Sequence, residues 1–215
     1  ISSDKFDLVA VPGHDSLRGE NVIVTKDAPN LVTADRLKLA AEKFRHIVPE
    51  APGPVISVLI GGKSRSYDLT QNDAMRLSDQ LLNLTKTHNA SLLITASRRT
   101  GEENLKIMKE SLSGNDRVYF WDGVGDNPYY GFLALADIIL VSEDSVSMTS
   151  EAATTGKPVY TIKLRGGGKR LDKFHENLQT KGITRIFDAD ITSWEYPALS
   201  DAQKIAGVLK RFYKQ

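Results

Sequence analysis

No cysteine occurs in the 215 residues, which excludes disulfides, thiolate metal sites and a cysteine nucleophile. That lack fits a reducing compartment, so a cytoplasmic protein is the expectation. No apolar stretch approaches the ~20 residues that a membrane span needs. A transmembrane segment is therefore not expected, and only peripheral membrane association stays open. Net charge is nearly absent as well. The 28 Lys and Arg against 27 Asp and Glu leave +1, so no global field selects nucleic acid or an acidic membrane. The chain opens on Ile1 rather than methionine, and a fragment or processed form of a longer protein is expected. What remains is ordinary for a globular protein: 40% hydrophobic and 26% charged residues. The length suits one large domain or a domain and a half.

The pattern is organised around residues 144–158, DSVSMTSEAATTGKP. They follow the apolar run 138–141, which reads as a fully buried parallel strand. Ser145 and Ser147 supply hydroxyls where a helix begins, and either can cap its free N–H groups. Gly156 is placed to end that helix and Pro158 forbids its resumption. Residues 159–162 then form another strand. A helix N-terminus with free donors suits phosphate. Glu151, one turn beyond Ser147, is placed to accept from a sugar hydroxyl beside it.

Before this unit, residues 6–11 and 21–25 read as short strands and 34–45 as an amphipathic helix. Residues 49–54, with three prolines and a glycine, then break the pattern like a linker. The expected organisation is the end of a Rossmann-like first domain at 1–48, a linker at 49–54 and a second domain at 55–215. In that second part, strands at 55–60, 91–95, 117–121, 138–141, 159–162 and 184–187 alternate with helices. These helices are expected at 70–88, 102–112, 130–136, 148–155, 171–181 and 201–213. Such alternation means an α/β fold, a parallel sheet with helices on both faces. Ligands of such sheets sit beyond the carboxyl ends of the strands, and polar signatures at Gly61, Ser97, Asp122 and Asp144 fall there.

The run Gly61-Gly62-Lys63-Ser64 resembles the tail of a P-loop, but Ser57 stands where the first glycine belongs, so a Walker A motif is rejected. Two readings remain: a glycine turn whose N–H groups approach a pyrophosphate with Lys63 adding charge, or a plain strand-to-helix turn. Ser97, Arg98 and Arg99 put two guanidinium groups at a strand end, where forks match phosphate oxygens; a solvated basic turn explains one of them. Trp121 can stack on a base or pack in the core. The pair Asp188 and Asp190 has the spacing of a metal-binding DxD but lies in a late loop, so capping is the better reading and no metal is expected. His14 with Asp15 reads as a surface turn, and His46, His88 and His175 as structural. A basic glycine loop, RGGGKR at 165–170, enters the helix that follows it.

The run EAATTGKPV at 151–159 resembles the C-terminal nucleotide-sugar domain of GT-B glycosyltransferases, in which the glutamate of an E-A-x-x-x-G-x-P-V run holds the donor ribose. More of the chain (VLIGGKS, ITASRRTG, NPYYGFLALAD, SEDSVSMTSEAATTGKPVY and the early VPGHD and NVIVT) is similar to a family of bacterial proteins that includes the plant mitochondrial-fission (elongated-mitochondria) protein. Lys26-Asp27 departs from that family, which tends to have glycine there. A nucleoside-diphosphate-sugar epimerase activity, often ascribed to bacterial members, gains no support from the residues: no G-x-G-x-x-G follows the first strand, and there is no Tyr-x-x-x-Lys pair.

The resemblance implies a GT-B-like chain that retains the donor domain and the end of the first domain. Roughly another 100 residues, a typical domain size, are expected before Ile1, carrying the acceptor site and the catalytic base. The implied ligand is a nucleoside-diphosphate sugar, with no separate cofactor and the acceptor undefined. Its expected contacts are Gly61, Gly62, Lys63, Ser64, Ser97, Arg98, Trp121, Asp122, Ser145, Ser147, Met148 and Glu151; no catalytic residue is assigned. Two functions follow from these expectations: metal-independent sugar transfer, or a non-catalytic nucleotide-binding or scaffold protein acting through partners.

Overall fold

The computed structural model describes residues 3–13, 15–25, 28–199 and 201–213. His14 and the Lys26-Asp27 turn lie outside them. The first two strands, β1 (Val9–Pro12) and β2 (Val22–Thr25), pair with each other in parallel as a separate small sheet. The segment after β2 runs along a later helix. It leads through Thr33, whose side chain accepts from Arg36 N–H, into helix α1 (Ala34–Phe44).

Beyond the proline-rich segment come β3 (Val55–Ile60), the two-residue strand β4 (Tyr67–Asp68), α2 (Gln71–Thr87), β5 (Ser91–Ala96), α3 (Glu102–Leu112), β6 (Val118–Phe120) and α4 (Tyr129–Leu135). The chain ends with β7 (Ile138–Ser142), α5 (Val146–Thr154), β8 (Val159–Ile162), β9 (Arg165–Gly166), α6 (Lys169–Thr180), β10 (Thr184–Ile186) and α7 (Asp201–Phe212). Six strands form one sheet in the order β10-β8-β7-β3-β5-β6, every pair parallel.

Continuous apolar runs make these strands because helices cover both faces of the sheet. Leu77, Leu81 and Leu84 of α2 and Met108 and Leu112 of α3 close one face over Ile56, Val58, Leu92 and Ile94. Leu133 and Ala152, from α4 and α5, close the other over Leu59, Ile139 and Val141. Thr70 fixes where α2 starts: its hydroxyl accepts from Asp73 N–H while the Asp73 carboxylate bonds back to Thr70 N–H, a reciprocal cap.

Two features differ from the expectation. Helix α1, grouped by sequence with the first two strands, packs on α4 instead. Leu37 joins the apolar layer shared by α4 and α5, and Arg36 lies 3.9 Å over the Tyr130 ring. The second is the antiparallel pairing of β4 with β9, Tyr67 opposite Gly166. These short strands carry no apolar run, yet they clasp the loop after β3 to the loop after β8.

His175 of α6 is buried, with Nε2 2.7 Å from the Glu143 carbonyl, to which it donates, and Nδ1 has no hydrogen-bond partner among the described residues. Burial, opposed by that hydrogen bond, holds its pKa below the ordinary value of 6.5. Below that value the unfolded chain takes up a proton that the folded chain refuses, so stability should fall as pH drops from about 6.5 toward the folded pKa. Melting temperatures measured between about pH 7 and 5 should fall less steeply in His175→Gln, which keeps a donor but does not titrate. An identical slope in the variant would exclude this role.

Candidate functional site

The strand order changes direction beside β3. The chain runs outward through β5 and β6, then returns to the other side of β3 as β7 and β8. Crevices of open α/β sheets form at such a point, at the carboxyl ends of the strands. Here those ends are Gly61 and residues 142–145, and they are in contact. Gly61 N–H donates to Ser142 Oγ at 2.6 Å. A Cβ on Gly61 would fall 2.3 Å from both Asp144 carboxylate oxygens.

Ser145, not Ser147, caps α5: its side chain accepts from Met148 N–H at 3.3 Å. Ser147 is exposed in the first turn, whereas Met148 is bonded through its N–H and packs its side chain against the α4–α5 layer. The helix ends, as expected, before Gly156, at φ 75. Lys157 is unavailable to a ligand, because Nζ donates to the Leu133 and Ala134 carbonyls at 2.9 and 2.5 Å, at the end of α4.

The glycine turn is built differently from the expected phosphate cradle. Besides Gly61 N–H, Lys63 N–H is used by Arg99 O at 2.8 Å and Ser64 N–H by Tyr67 O at 2.9 Å. Ser64 Oγ accepts from Ser66 and Tyr67 N–H. These donors tie the loop to its neighbours and to β4, and Gly62 lies against the Arg99 carbonyl. Ser97 accepts from Arg99 N–H and caps a single turn. The exposed Lys63 and Arg98 line a cleft of ≈ 630 Å³ at the starts of α2 and α3, shared with Asp68, Glu102 and Glu103. Arg99, on the same rim, pairs with Asp144 at 2.9 Å. Ser145 and Ser147 are not among the described residues that line this cleft.

A second cleft, of ≈ 560 Å³, lies where α5 and α6 begin; Val146 and Gly168 to Leu171 line it, with Ser66 of the clasp and Pro12 and Ala28 opposite. Gly168 supplies no side-chain cap to α6, and the first N–H groups of a helix have no carbonyl within it to bond. Lys169 and Arg170 add exposed cations; Arg170 is 3.8 Å from Asp15. Ser66, Gly168, Lys169 and Arg170 are not among the contacts expected from the sequence. The RGGGKR run was the available signal.

Trp121 donates its indole N–H to Val124 O at 3.0 Å, and Asp122 accepts from Val124 N–H at 2.9 Å. Both therefore stabilise the loop after β6. Glu151 is partly buried and accepts from the Tyr129 hydroxyl at 2.5 Å, a partner that helical spacing does not reveal. Asp190 caps Ile191 N–H and pairs with His88. Among the described residues, no helix is long and apolar enough to cross a membrane.

Comparison with known proteins matches residues 1–213 to the family model described as mitochondrial fission ELM1. The mitochondrial fission protein ELM1 of Arabidopsis thaliana is 33% identical over 195 residues, which cover 89% of this chain and 45% of that protein. An uncharacterised protein of Rickettsia prowazekii is 30% identical over 203 residues, 92% of this chain and 57% of its own length. The chain thus spans about half the length of these curated relatives. Among solved structures, the UDP-GlcNAc 2-epimerase of Neisseria meningitidis, bound to UDP-GlcNAc, superimposes with a TM-score of 0.51 at 19% identity, over 93% of this chain and 48% of that one. The fold is GT-B-like. On the family match along nearly its whole length, the chain belongs to the mitochondrial fission ELM1 family.

Proposed function

We propose that this chain binds the nucleoside diphosphate of a nucleotide sugar in the cleft where α5 and α6 begin. The observation that carries this reading is the convergence there of two helix starts with Lys169, Arg170 and the clasp residue Ser66. Each helix start presents backbone donors and a partial positive charge, and the cations match phosphate oxygens. Glu151, on the same helix as Val146, would take the ribose. In sugar transfer an acceptor hydroxyl attacks the anomeric carbon and gives up its proton to a general base or to solvent, the bond from that carbon to the β-phosphate oxygen breaks, and the diphosphate leaves with the charge that this cleft is suited to hold.

Retention of the diphosphate alone, without transfer, is the second reading, favoured by the acidic groups nearby. Glu143 is held by Lys163 and Leu164 N–H, Asp144 by Arg99 and Glu151 by Tyr129. None of these carboxylates is unengaged and ready to act as a base.

Calorimetry with UDP, GDP, ADP and CMP tests the reading. One of the diphosphates should bind, and Lys169→Ala or Arg170→Ala should each weaken it about tenfold, the value of one charge-assisted hydrogen bond. Failure of every diphosphate to bind, or full affinity in the double variant, excludes the cleft.

A further inference from the structure

Glu151 is not a loose carboxylate. The Tyr129 hydroxyl donates to Oε2 at 2.5 Å, and Tyr129 is itself held in place. It is the first residue of α4, with its N–H bonded to Asn127 Oδ1 at 2.9 Å. Its ring packs against the layer between α4, α5 and the sheet and meets the Tyr130 ring edge-on at 5.4 Å. Tyr130 in turn lies under the Arg36 guanidinium of α1. Burial first, and then the charge of Glu151, push the Tyr129 phenol well above its ordinary value of 10.0, so it stays a donor throughout the physiological range. Among the described residues, Tyr129 is the hydrogen-bond partner of Glu151, and Oε1 has none.

A glutamate side chain has three rotatable bonds, and ordering them at the moment of binding costs affinity. A rigid donor on one oxygen removes part of that cost. We infer that Tyr129 is a positioning residue: it clamps Oε2 of Glu151 so that Oε1 is presented to the ribose diol of a bound nucleotide. The inference rests on the reading of Glu151 as the ribose acceptor and adds to it a second residue, from a different helix. It also makes α1 part of the support, since Arg36 covers the neighbouring ring.

The test compares a ribonucleoside diphosphate with its 2′,3′-dideoxy counterpart by calorimetry, on the full chain and on Glu151→Gln, Tyr129→Phe and the double variant. Glu151→Gln should weaken the ribonucleotide about tenfold or more and leave the dideoxy ligand within about twofold, as expected for losing an ionic acceptor. Tyr129→Phe should lower ribonucleotide affinity about fivefold, again without touching the dideoxy ligand. The double variant should bind no more weakly than Glu151→Gln alone, because the two residues act as one unit. Tyr129→His, which keeps a ring donor, should recover part of the preference for ribose, and it carries the test if Tyr129→Phe does not fold. Equal losses on both ligands in the Tyr129 variants, or losses that add to those of Glu151→Gln, would overturn the positioning role alone. An unchanged ribose preference in Glu151→Gln, or no nucleotide binding by the parent chain, would overturn the ribose reading and this inference with it.

Discussion

Gly61→Ala is expected to lower the melting temperature by about 5 °C, and most of that loss should disappear when Asp144→Ala is made in the same chain. The added Cβ would lie 2.3 Å from both Asp144 oxygens. Neither side can yield easily. Gly61 is fixed through its N–H to Ser142 Oγ and through its carbonyl, which accepts from Thr100 Oγ1 at 2.5 Å. The Asp144 side chain is fully enclosed. Forcing a methyl into such a contact costs about 1–3 kcal/mol, and each kcal/mol is worth about 2–4 °C in a domain of this size.

Asp144→Ala by itself should be nearly neutral. Its oxygens accept no hydrogen bond among the described residues; the Arg99 contact is an ion pair without hydrogen-bond alignment. A charge buried on those terms contributes little, because its desolvation offsets the attraction, and Arg99 is exposed enough to be hydrated once alone. The double-mutant cycle should therefore show a coupling of about 1–2 kcal/mol. Strictly additive losses would mean that the damage comes from the backbone of β3 rather than from Asp144.

The layered architecture was legible because the central strands are mainly apolar runs and several helix starts carry their own cap, as at Thr70 and Ser145. That Gly61 and Asp144 lie on one rim was legible too, from the rule that places ligand crevices at strand ends; their direct approach was not. Other features depend on contacts that no local pattern encodes. A glycine turn shows that donors exist, but not that Ser142 Oγ, Arg99 O and Tyr67 O already take them. The apolar stripe of α1 shows that it needs a partner without saying which; α4 can serve because Gly131 leaves room for Phe44 against it. The clasp was illegible for a plainer reason. Strands of two residues have no period, and nothing local shows that Tyr67, buried in the main core, pairs with Gly166. The clasp also brings Ser66 beside Lys169 and Arg170, a neighbourhood that sequence spacing does not show.

That clasp supplies the second large effect: Gly166→Ala should abolish most nucleotide binding while leaving the fold nearly as stable as before. Gly166 has φ 111, a region that side chains rarely enter, and a Cβ there would lie 2.1 Å from the Ser66 carbonyl oxygen. Strain of this kind costs about 1–3 kcal/mol, enough to open a pairing of two residues whose strand β9 is exposed. Opening it withdraws Ser66 from the cleft and frees the loop that sets the start of α6, so Lys169 and Arg170 lose their fixed approach to the diphosphate. On the proposed reading, affinity for the best diphosphate should fall more than about tenfold, the loss of at least one charge-assisted hydrogen bond. The melting temperature should move only slightly, since the central sheet is untouched. Gly182→Ala is the control. Its φ of 67 disfavours a side chain as well, but it lies outside the cleft and its Cβ would meet nothing within 4 Å, so affinity should stay within about twofold. Calorimetry and thermal melting on the two variants decide the matter. Wild-type affinity in Gly166→Ala would show that the clasp plays no part in the site, and equal losses in both variants would point to general destabilisation rather than to the clasp.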